Sequence, residues 1–444
     1  MSKFFICTFG CRCNQADSGA IRESLRRKGL EETASYIDAD LLVVNSCTVT
    51  QRTDQQVRQA VRRFHRDSPG ARLVVTGCYA ERDPDALATI PGVNLTIGNA
   101  DRERLAELLE ESAASPGLKV VRSPLAGRGL HFAMLPCGTG GKTRPLVKLQ
   151  DGCDAHCSYC IVPSVRGPGR SARPDDVVAE IRALVAGGYR EIVLAGVNLG
   201  AYGRKLEGAP TLPDLLRRIL EIPGIGRLRL SSIEPMRFSL GIIGLAALNP
   251  SIAPHFHVPV QSGSDRILRR MRRPYTVARF LSLVDSMREA LPLCGIGTDV
   301  LVGFPGETEE DFQRTCDLVR RAPLTYLHVF PFSAREGTSA FSFAPRVHPS
   351  VIHQRVATLR SISQEKSLAF RRSLIGRELS AITLAREEGM GDSTVLTDNY
   401  IHARVADSIA PNRLITVRIL DVLDEGTVAT VVRRLGVGSR KSPS

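Results

Sequence analysis

The chain has no long apolar run. Its longest, Leu240–Leu248, is broken by glycine and falls far short of the roughly 20 residues that a membrane-spanning helix needs, so no membrane association is expected. No early segment joins a basic start, an apolar stretch and a small-residue cleavage site, so a secretory leader is not expected and a cytoplasmic protein is. Disulfides are not expected either. The eleven cysteines are an odd number in a long chain with no leader, which points to reduced thiols and metal ligation. After Gly376 the chain holds one aromatic residue, Tyr400, and its charges balance, so an aromatic stacking platform for oligonucleotides is not evident there.

What the chain does have is length and basic charge. Its 444 residues suggest about three domains, and 43% hydrophobic with 24% charged residues is ordinary for a folded protein. The formal charge of +13 suggests a polyanionic partner. The excess is uneven: residues 1–112 and 376–444 are near balance, while 113–150 carry six basic and no acidic residues and 151–375 carry the remainder. The densest run is Arg266-Ile267-Leu268-Arg269-Arg270-Met271-Arg272-Arg273, which reads either as a solvated helix face or as a phosphate contact.

The chain is organised around Lys148-Leu149-Gln150-Asp151-Gly152-Cys153-Asp154-Ala155-His156-Cys157-Ser158-Tyr159-Cys160. A short apolar run from Pro145 to Leu149 reads as a buried strand, so the C-x3-C-x2-C thiols fall in a loop at a strand's C-terminal end, where α/β folds place their chemistry. A closed zinc site wants four ligands, and this loop offers three with no nearby fourth. A zinc knuckle or buried structural cysteines remain the plain alternatives, but an iron–sulfur cluster with one open iron fits better. His156 reads as a solvated loop residue.

Residues 1–112 alternate strands (4–8, 41–45, 73–76, 95–97) with helices (16–28, 53–66, 84–89, 101–111), which predicts a doubly wound parallel sheet. Three of the strands end in cysteine, at Gly10-Cys11, Asn45-Ser46-Cys47 and Gly77-Cys78. Neighbouring strand ends share one rim, so Cys11, Cys47 and Cys78 can converge into a second cluster site. A single cysteine of this kind would read as a small buried hydrophobe; the repeated placement favours the cluster. Cys7, Cys13 and Cys137 receive no role. Residues 113–144 lose periodicity and read as a linker.

From 145 to 375 strand and helix alternate again, and six strands suggest an open partial (β/α)6 barrel. Its loops after the strands are small and polar: Ala195-Gly196-Val197-Asn198, Ser231-Ser232-Ile233-Glu234, Val260-Gln261-Ser262-Gly263 and Gly303-Phe304-Pro305-Gly306. Such loops let backbone approach a ligand and offer isolated hydrogen-bonding side chains. Arg166 and Arg170 read as contacts to a cofactor or to nucleic acid. Residues 351–375 read as a basic helix, and 376–436 as five short strands in a small β-barrel, with a disordered tail beyond.

The cysteine loop resembles the cluster-binding signature of the radical S-adenosylmethionine (SAM) superfamily. The resemblance implies that Cys153, Cys157 and Cys160 hold a 4Fe-4S cluster whose open iron chelates SAM, with Tyr159 along the adenine and Gly196, Asn198, Ser232, Glu234 and Gln261 lining the SAM site. The stretches Gly10-Cys11-Arg12-Cys13-Asn14, Asn45-Ser46-Cys47-Thr48-Val49 and Gly77-Cys78-Tyr79-Ala80 resemble the methylthiotransferase branch, which implies an auxiliary 4Fe-4S cluster on Cys11, Cys47 and Cys78. The final β-barrel resembles the TRAM RNA-binding domain. Ser231 to Pro235 and His328-Val329-Phe330-Pro331-Phe332-Ser333 look most like the members that act on threonylcarbamoyladenosine at position 37 of tRNA. Two relatives on the same scaffold act on isopentenyladenosine in tRNA and on an aspartate of a ribosomal protein. The implied partners are tRNA and an electron donor. The opposed reading from another class is a non-enzymatic RNA-binding iron–sulfur protein.

Overall fold

A computed structural model describes residues 2–115, 119–125, 143–385, 391–424 and 426–434. Cys137, most of the expected linker and the final basic tail lie outside the described residues.

The first body is a six-stranded, wholly parallel sheet in the order Glu31–Glu32, Lys3–Thr8, Leu41–Ser46, Arg72–Gly77, Val93–Ile97, Val120–Val121. Alternate residues serve opposite faces, as the two-residue repeat of a strand requires. Phe4, Leu41, Val43, Val74 and Leu95 pack with Ile21 and Leu25 of helix Arg12–Arg27 and Leu105 and Leu108 of helix Leu105–Ala114. Leu42, Val44, Leu73 and Val75 pack with Val57, Val61 and Phe64 of helix Gln51–Asp67. Helices therefore cover both faces, and the strand order reverses between Lys3–Thr8 and Leu41–Ser46, the position where such sheets bind ligands.

The second body carries six parallel strands: Leu146–Asp151, Glu191–Gly196, Arg227–Leu230, His255–His257, Gly295–Val302 and Tyr326–Pro331. They pair as two groups of three. The groups are joined where Ile233 N donates to His257 O at 2.9 Å and where Leu228 bridges Ile252. The row is the partial barrel the sequence predicts, with one addition, a two-residue antiparallel strand Arg170–Ser171 on the opening strand.

Here too the alternation divides the strands. Val147, Leu149, Ile192, Leu194, Leu228, Leu230, Phe256, Ile296, Val300, Leu327 and Val329 join the helices in one large apolar core. The intervening residues, including Lys148, Glu191, Arg229, His255, His257, Asp299, Tyr326 and His328, project to the opposite face, the lumen. That lumen is polar, unlike the packed interior of a closed barrel.

The helix Pro349–Arg372 leads into the third body, a closed antiparallel-dominated barrel of five strands, Glu378–Thr383, Ser393–Thr397, His402–Val405, Leu414–Leu423 and Gly426–Arg434. It seals the base of the central barrel. Arg229 donates to the carbonyls of Asp398 and Thr397 at 2.9 and 3.1 Å, Asn399 Nδ2 donates to Leu293 O at 3.0 Å, and Tyr400 stacks on His255 with ring centroids 4.2 Å apart. Among the described residues, no helix is long and apolar enough to cross a membrane.

Candidate active site

The loop that carries Cys153, Cys157 and Cys160 is fixed from three sides. Gln150 Nε2 donates to the carbonyls of Asp151 and Gly152 at 3.0 and 2.7 Å, and Gln150 Oε1 accepts from Asn198 N at 2.7 Å. Gly152 has φ +68 with Gly167 O packed behind its Cα, a position only glycine takes without strain. Ser158 N and Oγ donate to the carbonyls of Met271 and Arg270 at 3.0 and 2.9 Å.

Two side chains reach the thiols. Asn198 Nδ2 lies 3.6 Å from Cys153 Sγ, and Arg273 Nη1 lies 3.4 Å from Cys157 Sγ while its other arm pairs with Glu234. Burial raises the Cys157 thiol, despite Arg273, and pushes Cys160 up to about 12. His156 is exposed, as expected.

The arginine run that contains Arg273 is therefore neither a uniform solvated face nor a uniform phosphate contact. Arg269 and Arg272 are exposed, Arg266 pairs with Asp311, and Arg270 lies over the Phe343 ring at 5.3 Å. Arg273 is only 4% exposed and turned inward.

Cys11, Cys47 and Cys78 meet on the rim of the first sheet. Asn14 Oδ1 is 3.7 Å from Cys11 Sγ and 4.0 Å from Cys78 Sγ, and Gly10, at φ +101, leaves the space in which Cys47 sits: a Cβ there would lie 2.8 Å from Cys47 Sγ. Cys47 and Cys78 are buried, and burial pushes Cys47 up to about 12. Cys11 is exposed, and the Cys13 thiol beside it lowers its pKa to about 6. Cys13 is thus a buried neighbour of the rim, whereas Cys7 faces the apolar side of its strand.

The elements that carry the two sets of thiols pack against each other. Cys78 packs against Ile161 and Val165, just past Cys160, and Asn99 Nδ2 donates to Val165 O at 2.6 Å while lying 3.7 Å from Cys78 Sγ. Arg166 corrects the sequence reading. It is buried, and its guanidinium is taken up by protein partners: it donates to Asp151 at 2.7 Å, to Asp17 at 2.9 Å and to Asn14. Arg102 and Lys148 complete this interlock on the same two carboxylates. Burial would raise Asp151, but Arg166, Lys148 and Arg102 outweigh it and hold the acid well below its usual range. Arg170 likewise faces Asp151, at 3.8 Å.

The expected SAM-lining residues all sit at the C-terminal rim of the barrel. Tyr159 packs against Ile267, Met271, Phe304 and Ala340. A Cβ on Gly196 would meet Gln150 at 3.1 Å, Ser232 Oγ is 2.8 Å from His257 Nδ1, and Glu234 pairs with Arg273. Gln261 holds φ +69 and bonds through its backbone to Asp299 and Leu301. An open cleft of about 170 Å³ beside Cys153 is lined by His156, Asn198, Arg204, Lys205 and Arg272 among others.

Sequence reasoning missed Gln150, Arg273, Asn14 and Asn99, and also the polar lumen residues. The lumen had a signal: in Arg227-Leu228-Arg229-Leu230, His255-Phe256-His257 and Tyr326-Leu327-His328-Val329 every second residue is polar or aromatic, where buried parallel strands are normally apolar throughout.

The donor chemistry suits the implied groups. Each set is three cysteine sulfurs, which once deprotonated are the ligand type of iron–sulfur clusters, and at one set Gly10 leaves the space that the Cys47 side chain takes. Asn198, whose Nδ2 lies 3.6 Å from Cys153 Sγ, keeps its Oδ1 buried without a protein partner, leaving an acceptor for a polar ligand beside the second set.

Residues 3–98 match the Uncharacterized protein family UPF0004, and residues 147–319 match the Radical SAM superfamily. The threonylcarbamoyladenosine tRNA methylthiotransferase of Aquifex aeolicus is 36% identical over 89% of this chain and 94% of its own. The tRNA-2-methylthio-N(6)-dimethylallyladenosine synthase of a Parafrankia species is 37% identical over 87% of this chain and 78% of its own. Among solved structures, the radical S-adenosylmethionine methyltransferase TsrM of Kitasatospora setae shares the fold, with a TM-score of 0.55 at 17% identity over 74% of this chain and 73% of that one. With these similarities over most of its length, and with two three-cysteine sites joined across one buried ionic interface, the chain belongs to the radical SAM methylthiotransferase family.

Proposed function

We propose that the enzyme adds a methylthio group to C2 of N6-threonylcarbamoyladenosine at position 37 of tRNA. The observation that carries this reading is the match, over most of the chain, to relatives named for that nucleoside from several bacteria, at 32% to 36% identity. In this reading Cys153, Cys157 and Cys160 hold the radical 4Fe-4S cluster, Cys11, Cys47 and Cys78 hold the auxiliary one, and Gly196, Asn198, Ser232, Glu234 and Gln261, with Tyr159, receive SAM. Bound SAM and its reduced cluster supply the one-electron chemistry that an unactivated ring carbon demands.

The protein's own part is placement. Arg273 holds Glu234 and Cys157 in fixed relation, Gln150 fixes both the cluster loop and the Asn198 backbone, and the Arg166–Asp151–Asp17 interlock sets the two cysteine rims relative to each other. The base of the lumen is shut by Tyr400, which leaves the rim as the way in for a nucleoside and excludes bulk water from below. The C-terminal barrel is read as a TRAM domain that contacts tRNA.

A second reading, action on the dimethylallyl nucleoside, is supported by relatives of that name at 34% to 37% identity. Nucleoside mass spectrometry of total tRNA from cells lacking the gene, with and without a plasmid copy, separates the two. Loss and rescue of 2-methylthio-threonylcarbamoyladenosine is the expected result; loss of the 2-methylthio-dimethylallyl nucleoside alone transfers the assignment. Substituting Cys153, Cys157 and Cys160 together by Ala should leave about four irons per chain on the auxiliary rim. A variant that reconstitutes with no iron overturns the two-cluster assignment.

A further inference from the structure

Halfway up the lumen, on three adjacent strands, stand His257, Asp299 and His328. Strand register brings them together: Asp299 is paired with His328, and His257 with Gly297, two residues before Asp299 on the same face. The glycine matters, because any Cβ at 297 would collide with the Tyr326 ring that lies across it. Nitrogen atoms of both imidazoles converge on one oxygen: His257 Nε2 and His328 Nδ1 each lie 3.2 Å from Asp299 Oδ1, and the three donor atoms fall within 4.8 Å of one another.

His328 Nδ1 is within hydrogen-bond reach of Asp299 Oδ1, but the His257 arm of the trio is different. His257 is 7% exposed, yet its Nε2 has no aligned hydrogen-bond partner. Its other nitrogen is engaged by Ser232 Oγ at 2.8 Å. With Nδ1–H donating to that hydroxyl, the Nε2 lone pair is left pointing at the trio, the arrangement that outer hydrogen bonds impose on metal-binding histidines. Donors bound about 2.0–2.2 Å from one ion at angles near 90–110° stand roughly 3.0–3.4 Å apart, and both nitrogen-to-oxygen separations, 3.2 Å each, fall in that range.

We propose that His257, Asp299 and His328 form a site for a first-row divalent cation, distinct from the six cluster thiols. Two imidazoles and a carboxylate suit Zn²⁺ or Fe²⁺ and disfavour Mg²⁺ or Ca²⁺. Three protein ligands leave at least one coordination position open, and His328, the exposed member, marks its open side toward the lumen. The site would stand whichever nucleoside the enzyme accepts.

The test uses cluster-loaded protein equilibrated anaerobically with Zn²⁺, passed through a desalting column and analysed for zinc and iron. About one zinc per chain is expected beyond the iron, with coordination by nitrogen and oxygen alone in zinc-edge X-ray absorption, since Zn–S distances near 2.3 Å stand apart from Zn–N and Zn–O near 2.0–2.1 Å. His328→Ala and Asp299→Asn should each weaken zinc retention at least tenfold with iron content unchanged. Wild-type protein that retains no zinc, a sulfur shell around the zinc, or equal retention by His328→Ala would each overturn the proposal. The absorption measurement needs no variant, so it decides even if a substitution disturbs folding.

Discussion

Arg273 is the residue that most changes how the site is understood. The helix Asp265–Arg270 ends at Met271, Arg272 takes φ +56, and Arg273 N returns to Leu268 O at 2.9 Å, a left-handed helix stop that turns the next side chain inward. There the guanidinium pairs with Glu234 and bonds Cys157 Sγ and Tyr275 Oη. Removing one partner of a buried ion pair costs about 3–5 kcal/mol, less where the partner keeps some solvent, as Glu234 does. Arg273→Gln should therefore lower the thermal midpoint and the iron held by the radical loop, read by calorimetry and iron assay. Arg269→Gln with Arg272→Gln should leave stability within about 0.5 kcal/mol, and a shallower salt dependence of tRNA binding in that pair would mark phosphate contact. That Cys11, Cys47 and Cys78 come together was legible, because strand ends in one parallel sheet share a rim. Arg273 was not, because a run of like charges reads as one face until the backbone reversal at Arg272 splits it.

At the scale of elements, helix Pro174–Ala186 carries a second buried charge problem. Glu180 is 3% exposed, its Oε2 has no hydrogen-bond partner, and burial pushes its pKa up to about 8. An acid whose folded pKa lies above its unfolded value keeps its proton when folded and loses it when unfolded. Stability is then highest below the unfolded pKa near 4.3 and falls as pH rises toward 8. Glu180→Gln should raise the unfolding free energy at pH 8 by about 2–4 kcal/mol and change it little at pH 4.5, measured by denaturant titration at the two pH values. An equal effect at both would mean that the carboxylate is not buried alone.

The strands present the opposite case. Their positions and the α/β order followed from apolar runs and turn residues, and the elements stand within a few residues of expectation. What the runs concealed was the division of faces, since Arg229, His255, His257 and Asp299 occupy inward positions that a closed barrel would fill with valine or isoleucine. Here several of those positions are filled by ion pairs and stacked rings, with Arg229 on Glu191 and His255 on Tyr400.

At the scale of the whole molecule, the three bodies meet around Tyr400. The first contributes Arg12, one residue past Cys11, whose Nη2 donates to Tyr400 Oη at 3.1 Å; the central barrel contributes His255 and Arg229, the latter 5.1 Å from the Tyr400 ring; the third contributes Tyr400 itself, held at φ +78 on a turn. Sequence could place Tyr400 in the C-terminal barrel as its one aromatic. Its position as a plug was not legible, because the partners lie about 150 and 390 residues away and no local pattern encodes them. The consequence is that the C-terminal barrel also packs on the base of the central barrel. Tyr400→Ala removes a stacked ring, a cation–π contact and a hydrogen bond, a loss of about 3–4 kcal/mol for truncating a large aromatic at a packed junction. Hydrogen exchange followed by mass spectrometry should then show faster exchange at the base of the central barrel, in His255–His257 and the start of Gly295–Val302, together with the C-terminal strands. Faster exchange confined to the C-terminal strands would mean that the barrel closes its own base and that Tyr400 only rests against it.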